Sequence, residues 1–486
     1  MRTVLVLLFL LVLAAPARAD FEFGMEDEGL LLSNPHLAPG AVAAWRELGV
    51  DVVRIHARWW EIAPARRPSH FDARDHEERR YKWARLDGAV ALVRSHGMRV
   101  MLTITGPGPL WASSSPRRRN PRYKPAPRHY AAFARAVATR YRDEVDRYLL
   151  WNEPNQHGWL QPQWDCRGRS CTPASPHLYR ELVRAAVPEV RAADPGAEIV
   201  VGELAPVGND PRSVNTPVKP LRFLRELACV DERQRPVRTG RCRGFRSVHA
   251  DSFGYHPHPQ LLAPDAPNPD LDEAQFADIE RLKDLLRRLR SARRLRVGPD
   301  LHLTEFGYQT NPPDPAVGIS LSLQTRYLQQ AAYLAWRYRA RGLSFYQWDD
   351  EPVVDRGPGT KRYSGWQTGL RFNSGKPKPV MATMPAPFVL DEPERRLWGH
   401  VRPDALRTVD VLVRPRGAKE FRELVTVRTG ADGVWTRRIA VTPGAAYRYR
   451  WTPRPTLEDP DPAPRLSRII DLGQREKSPY KASLAR

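Results

Sequence analysis

Cysteine is scarce in this chain, four residues among 486. No two of them are spaced as CxxC, which leaves little support for a structural metal site. After the apolar run from Val4 to Ala15, no stretch is long and apolar enough to cross a bilayer. No glycine-rich phosphate loop follows the first strand-like segment, which tells against a dinucleotide-binding open sheet. Helix-turn-helix, zinc-finger and RNA-binding signatures are missing too. Acid is outweighed by base, 55 Asp and Glu against 77 Lys and Arg, for a net charge of +22. That balance suits an anionic partner. The arginines, however, are spread through every segment and accompany 47 prolines, which points as much to a compositional bias as to a ligand. Nucleic acid is not an expected partner.

Arg2 precedes the apolar run, and Ala17-Arg18-Ala19 supplies a small-x-small cleavage site. Residues 1–19 therefore read as a secretory signal peptide. The expectation is an extracellular protein, free or held at the cell surface, with no stable membrane insertion. Export makes the cysteines a disulfide question. Three pairings are possible, and the simplest joins Cys166 to Cys171 and Cys229 to Cys242.

From residue 20 to about 352 one pattern repeats: a short apolar strand, a polar tip, an amphipathic helix. Eight strands are expected, at 21–25, 52–57, 99–105, 147–151, 198–203, 252–256, 301–305 and 343–348. Alternating strands and helices pair in parallel, and eight units close a (β/α)8 barrel, expected over 20–385. A doubly wound open sheet is the alternative. Alternating strand patterns from 397 to 451, with Asp432-Gly433 as a hairpin turn, predict a small antiparallel β-sandwich over 386–455. Residues 456–486, Pro- and Asp-rich and then basic, are expected to be disordered.

In such a barrel the carboxyl ends of the strands form one functional face. The fourth strand runs Arg147-Tyr148-Leu149-Leu150-Trp151 and stops at Asn152-Glu153-Pro154, because proline cannot continue it and restricts Glu153. The second strand carries Arg54, then His56 and Trp59-Trp60. The sixth ends at Tyr255-His256-Pro257-His258, the seventh at Thr304-Glu305-Phe306-Gly307, and the eighth at Gln347-Trp348-Asp349. Two glutamates, an arginine, histidines and tryptophans thus meet on one rim. Glycoside hydrolysis needs one carboxyl group to protonate the leaving oxygen and another, ionised, to attack the anomeric carbon. Arg54, on reaching Glu305, would keep it ionised.

Trp151-Asn152-Glu153-Pro154 on the fourth strand, with Thr304-Glu305-Phe306-Gly307 on the seventh, resembles the retaining glycoside hydrolases of clan A, families 5 and 39 among them. The resemblance covers about two thirds of the chain. It implies a cofactor- and metal-free O-glycosyl hydrolase with Glu153 as acid/base and Glu305 as nucleophile. It further implies Asn152 on the sugar 2-hydroxyl, Arg54 supporting the nucleophile, Trp348 as sugar platform, and Tyr255 or His256 near the nucleophile. Trp59 and Trp111 are further candidate sugar faces. A retaining pair should stand ~5–5.5 Å apart, whereas ~9 Å would mean inversion. The basic loop Arg117-Arg118-Arg119 to Arg128 beside Trp111 would favour an anionic glycan or is simply solvated. The protein is expected to act as a monomer. A transglycosylase and a non-catalytic glycan- or cell-wall-binding barrel are the rival readings.

Overall fold

The computed structural model describes residues 21–168, 170–357, 363–403, 405–456 and 459–473. The expected leader, 1–19, lies outside them. Eight parallel strands close into a barrel: β1 (Glu22–Glu26), β2 (Val52–Arg58), β3 (Arg99–Thr105), β4 (Arg147–Leu150), β5 (Glu198–Leu204), β6 (Ser252–Tyr255), β7 (Leu301–Phe306) and β8 (Gly342–Tyr346). Each is paired in sequence order, and β1 closes the ring on β8.

Period-two alternation sorts the side chains. On β2, Val53 and Ile55 join the apolar layer beneath the helices, while Val52 points inward. Val52, Met101, Leu149 and Val200 form a separate apolar plug inside the barrel, each side chain stabilising by about 1.5–3 kcal/mol on burial. The interior above and below this plug is charged. The outer layer includes α1 (Ala38–Glu47), α2 (Ala84–Ser95), α3 (Pro127–Arg140), α4 (Ser175–Ala193), α5 (Pro220–Leu227), α6 (Ile279–Ser291) and α7 (Leu321–Arg337). Two tyrosines pin helices to the functional end: Tyr130 donates to Ile104 O and Tyr179 to Leu150 O. No helix among the described residues is long and apolar enough to cross a membrane.

Beyond the barrel stand two antiparallel sheets. One holds β9 (Phe388–Asp391), β10 (Arg396–His400) and β13 (Val434–Arg438). The other holds β11 (Thr408–Arg414), β12 (Arg422–Arg428), β14 (Ala446–Trp451), β15 (Arg465–Leu466) and β16 (Ile470–Asp471). Phe388, Leu397 and Trp435 of the first share one buried cluster with Val409, Val411, Tyr447 and Tyr449 of the second. The last two strands correct the expectation of disorder over 459–473, whereas residues 474–486 of that expected tail lie outside the described residues. Both pair with β14, and Ser467 exchanges two backbone-anchored hydrogen bonds with Tyr449. A free edge of β14 and the apolar Ile470 and Leu472 outweigh the local Pro/Asp composition. The unit sits on the barrel through Trp398, packed against Tyr333 and Trp336 of α7, and through the buried Arg402 over the Phe23 ring. Both short-range cysteine pairs are bridged, Cys166–Cys171 and Cys229–Cys242. The first joins the two strands of a hairpin, Trp164–Arg167 and Ser170–Pro173.

Candidate active site

The tip of β4 is built on a sharp reversal. Trp151 has φ 76° and Glu153 φ 39°, left-handed values that cost a non-glycine residue on the order of 1–3 kcal/mol. Hydrogen bonds from Trp151 N to Ile104 O and from Glu153 N to Glu203 O, both 2.9 Å, hold the turn. Glu203, at the tip of β5, is itself at φ 50°. Register shifts interrupt β5 at this point and β7 between Leu303 and Phe306. Such bulges re-aim side chains, here Glu203 and Glu305. Gly254 on β6 makes room: a Cβ there would lie 1.8 Å from Glu203 Oε1.

Arg54 is the hub. Its Nη1 donates to Glu26 Oε2 (2.6 Å) and Glu305 Oε2 (3.0 Å). Its Nη2 donates to Asn152 Oδ1 (2.6 Å) and Glu203 Oε2 (2.7 Å), and its Nε to Thr103 Oγ1. A fully buried guanidinium is tolerable only because every donor direction meets an acceptor. Asn152 spends its oxygen on Arg54, which leaves its amide nitrogen to donate elsewhere.

Two histidines complete the cluster. The ring of His256 lies 3.2 Å from Glu153 Oε1 and 3.4 Å from Glu305 Oε2 through Nδ1, and 3.3 Å from Glu203 Oε2 through Nε2. Burial alone would lower its pKa, but Glu305 and Glu203 outweigh it and push the ring up to about 10. His258 Nε2 stands 3.1 Å from Glu305 Oε1. Burial would raise the Glu305 carboxyl, yet His256, His258 and Arg54 together hold it well below the usual carboxylate range. One ligating atom each of Glu153, His256 and Glu305 lie within 4.8 Å of one another. The two carboxylates therefore lie close together, with His256 Nδ1 near both.

The structure brings Arg54, Asn152, Glu153, His256 and Glu305 together, and it parts them from the other candidates. Tyr255 points the opposite way from His256, as neighbours on a strand do, and its hydroxyl donates to Ala274 O. Trp348 is 1% exposed and packs on Trp45 of α1 with Arg371 over its ring, so it is no sugar platform. The left-handed Gln347 (φ 74°) reverses the chain just before it and turns it outward. Trp59 is buried and stacked on Phe133 behind the barrel. Trp111 sits between Phe71 and His129, its Nε1 bonded to Pro64 O. The exposed ring at the site is Trp366, stacked on His258 and edge-on to Tyr346. Glu26, Glu203 and Trp366 also stand at the site without having been singled out, while His258 was expected on the rim but given no role. For Glu203 the signal was there, a glutamate ending an apolar strand after glycine. Trp366 lies in the long segment after β8, where no periodicity marks it.

Among the described residues, two further clusters could ligate a cation. His177 meets Cys229 and Cys242, whose sulfurs are bonded to each other. Glu26, Glu28 and His56 form the other, with both carboxylates already on Arg54 or Arg58.

The family model for cellulase (glycosyl hydrolase family 5) matches residues 23–224, a span holding Arg54, Asn152 and Glu153. A family 39 glycoside hydrolase from the gut symbiont Bacteroides cellulosilyticus WH2 superposes with TM-score 0.50 at 14% identity, covering 86% of this chain and 81% of that one. The likeness to that enzyme is one of fold, a barrel of the same kind. Lesser likenesses are to a glucosidase from Croceicoccus marinus (TM-score 0.46, 13% identity, 88% and 95% covered) and to a Thermotoga maritima protein solved with mannotriose (0.41, 14%, 71% and 97%). No curated protein matches the sequence. At such identities the likeness to these solved structures is one of fold, and the chemistry rests on the side chains at the barrel mouth.

Proposed function

We propose that this chain is an exported, monomeric, retaining O-glycoside hydrolase that works by double displacement. The family match and the barrel support a glycosidase. The observation that carries the finer reading is the approach of Glu153 and Glu305 oxygens to within 4.8 Å, in keeping with the close pair of a retaining enzyme rather than the wide pair that admits a water. Glu305, held ionised beside Arg54, His256 and His258, attacks the anomeric carbon. Glu153 protonates the leaving oxygen and then deprotonates the incoming water. Arg54 and His256 fix the nucleophile, and the free Asn152 amide donates to a sugar hydroxyl. Trp366 offers the apolar ring face next to the nucleophile. The two C-terminal sheets act as a sandwich-like brace on α7. Hydrolysis of a panel of aryl glycosides tests the assignment. Glu305→Ala and Glu153→Ala should each lower kcat about 10³-fold or more, and NMR of the first-formed product should show the anomeric configuration kept. Wild-type rates in both variants, or an inverted product, would sink it.

A further inference from the structure

We propose that a second carbohydrate subsite, built for an anionic substituent of the glycan, lies beside the candidate catalytic pair. It rests on the glycosidase reading only in taking the ligand to be a glycan. Between the segment after β1 and the segment after β2 lies a cavity of about 480 Å³. Leu32, His56, Trp60, Lys82 and Arg85 line it, with Arg58 and Glu61 on the same wall. The cavity adjoins the site. The His56 ring is 3.5 Å from Glu26, and Glu26 shares the Arg54 Nη1 donor with Glu305. Trp159, from the loop that leaves Glu153, packs edge-on against His56 and tilted against Trp60. The half-buried Trp60 ring supplies an apolar face of the kind sugar rings stack on.

Charge decides what kind of sugar. Arg58 is already spent on Glu28 (2.9 Å) and Glu61 (3.0 Å). Lys82 and Arg85 are exposed and, among the described residues, have no carboxylate within ion-pair distance. They flank the start of α2, whose unpaired first-turn N–H groups add positive potential at the same place. The basic segment after β3 extends the field, because Arg122 Nε bonds Gly158 O next to Trp159. An aromatic wall with two unspent cations and a helix N-terminus suits a ring bearing a carboxylate or a sulfate, one or two residues from the cleaved bond.

The test uses the full chain with Glu305→Ala as the binding form. Oligosaccharides of glucuronoxylan, hyaluronan and chondroitin sulfate are titrated calorimetrically, each beside its carboxyl-reduced or desulfated counterpart. At least one charged ligand should bind about tenfold more tightly than its neutral form. The gap should close in 0.5 M NaCl and in Lys82→Ala/Arg85→Ala, and should return in Lys82→Arg/Arg85→Lys. An unchanged Tm confirms that the alanine variant is folded. The reduced and desulfated arms separate carboxylate from sulfate. Equal binding of charged and neutral forms, or a preference that survives the alanine pair, overturns the subsite. Charge-dependent binding without any hydrolysis by the wild type overturns the glycosidase reading and leaves the subsite standing. Hydrolysis without charge preference does the reverse.

Discussion

The two ends of one barrel carry buried ion networks of opposite character. At the amino end of the strands, Glu22 is held by Arg147 (2.7 Å) and Arg99 (2.7 Å), and Glu198 by Arg147 (2.7 Å) and His302 (2.9 Å). Acid and base are matched there, and both carboxyl groups are pulled below their ordinary values despite burial. At the carboxyl end, Glu26, Glu203, Glu305 and Glu153 crowd round one guanidinium and two imidazoles. Acid is in excess, and the shifts diverge. Burial and the neighbouring Glu305 and Glu28 raise Glu26 well above the usual range, while Arg54 and His256 lower Glu203. A matched network gains nothing but stability. An unmatched one, with strained φ at Trp151, Glu153, Glu203 and Gln347, is what a proton-moving site looks like.

The largest test of that contrast removes the arginine at each end. Arg54→Ala and Arg147→Ala both strand buried carboxylates and should each cost about 3–5 kcal/mol in denaturant unfolding. Only Arg54→Ala should also abolish turnover by the remaining folded enzyme. Arg147→Ala should leave kcat per folded molecule unchanged, and a large fall in kcat there would erase the distinction. A second contrast sets two tryptophans that follow β8 against each other. Trp348→Ala opens a cavity in the core and should destabilise by about 3–5 kcal/mol. Trp366, 48% exposed, should cost little stability as Ala, but should raise KM about tenfold if it carries a sugar ring.

The contrast also shows in pH. His256 is raised from 6.5 to about 10 in the folded state. Its contribution to stability is therefore full below pH 6.5 and is lost as pH rises through about 10. Glu22 and Glu198 lie below 4.5 when folded, so theirs is full above that pH and is lost as pH falls through the lowered values. His256→Asn should flatten the alkaline limb of a Tm–pH curve, and Glu198→Gln the acid limb. Exchange of the two effects would show that the networks had been assigned to the wrong ends.

The eight strands of the barrel and the two glutamates were legible in the linear chain because periodicity and strand-ending residues are local. Apolar runs had to be strands, and Asn152-Glu153-Pro154 and Thr304-Glu305 had to sit where runs stop. Arg54 was legible for a related reason, since a charge inside an apolar run must find partners. Which tryptophan is exposed at the site was not local. Trp348 was expected to end the eighth strand, yet β8 stops at Tyr346, and a left-handed Gln347 and the packing of Trp45 bury Trp348 while Trp366 stays exposed. The strands at 465–466 and 470–471 are similar: only the free edge of β14 gives them a partner. Glu203 and His256 needed the ring to close before their carboxylate and imidazole could meet across 3.3 Å. Composition and periodicity settled the architecture and the candidate pair, because both depend on neighbours along the chain. Charge balance, side-chain direction and the identity of the exposed ring were left to tertiary structure, because each depends on what arrives from a different strand.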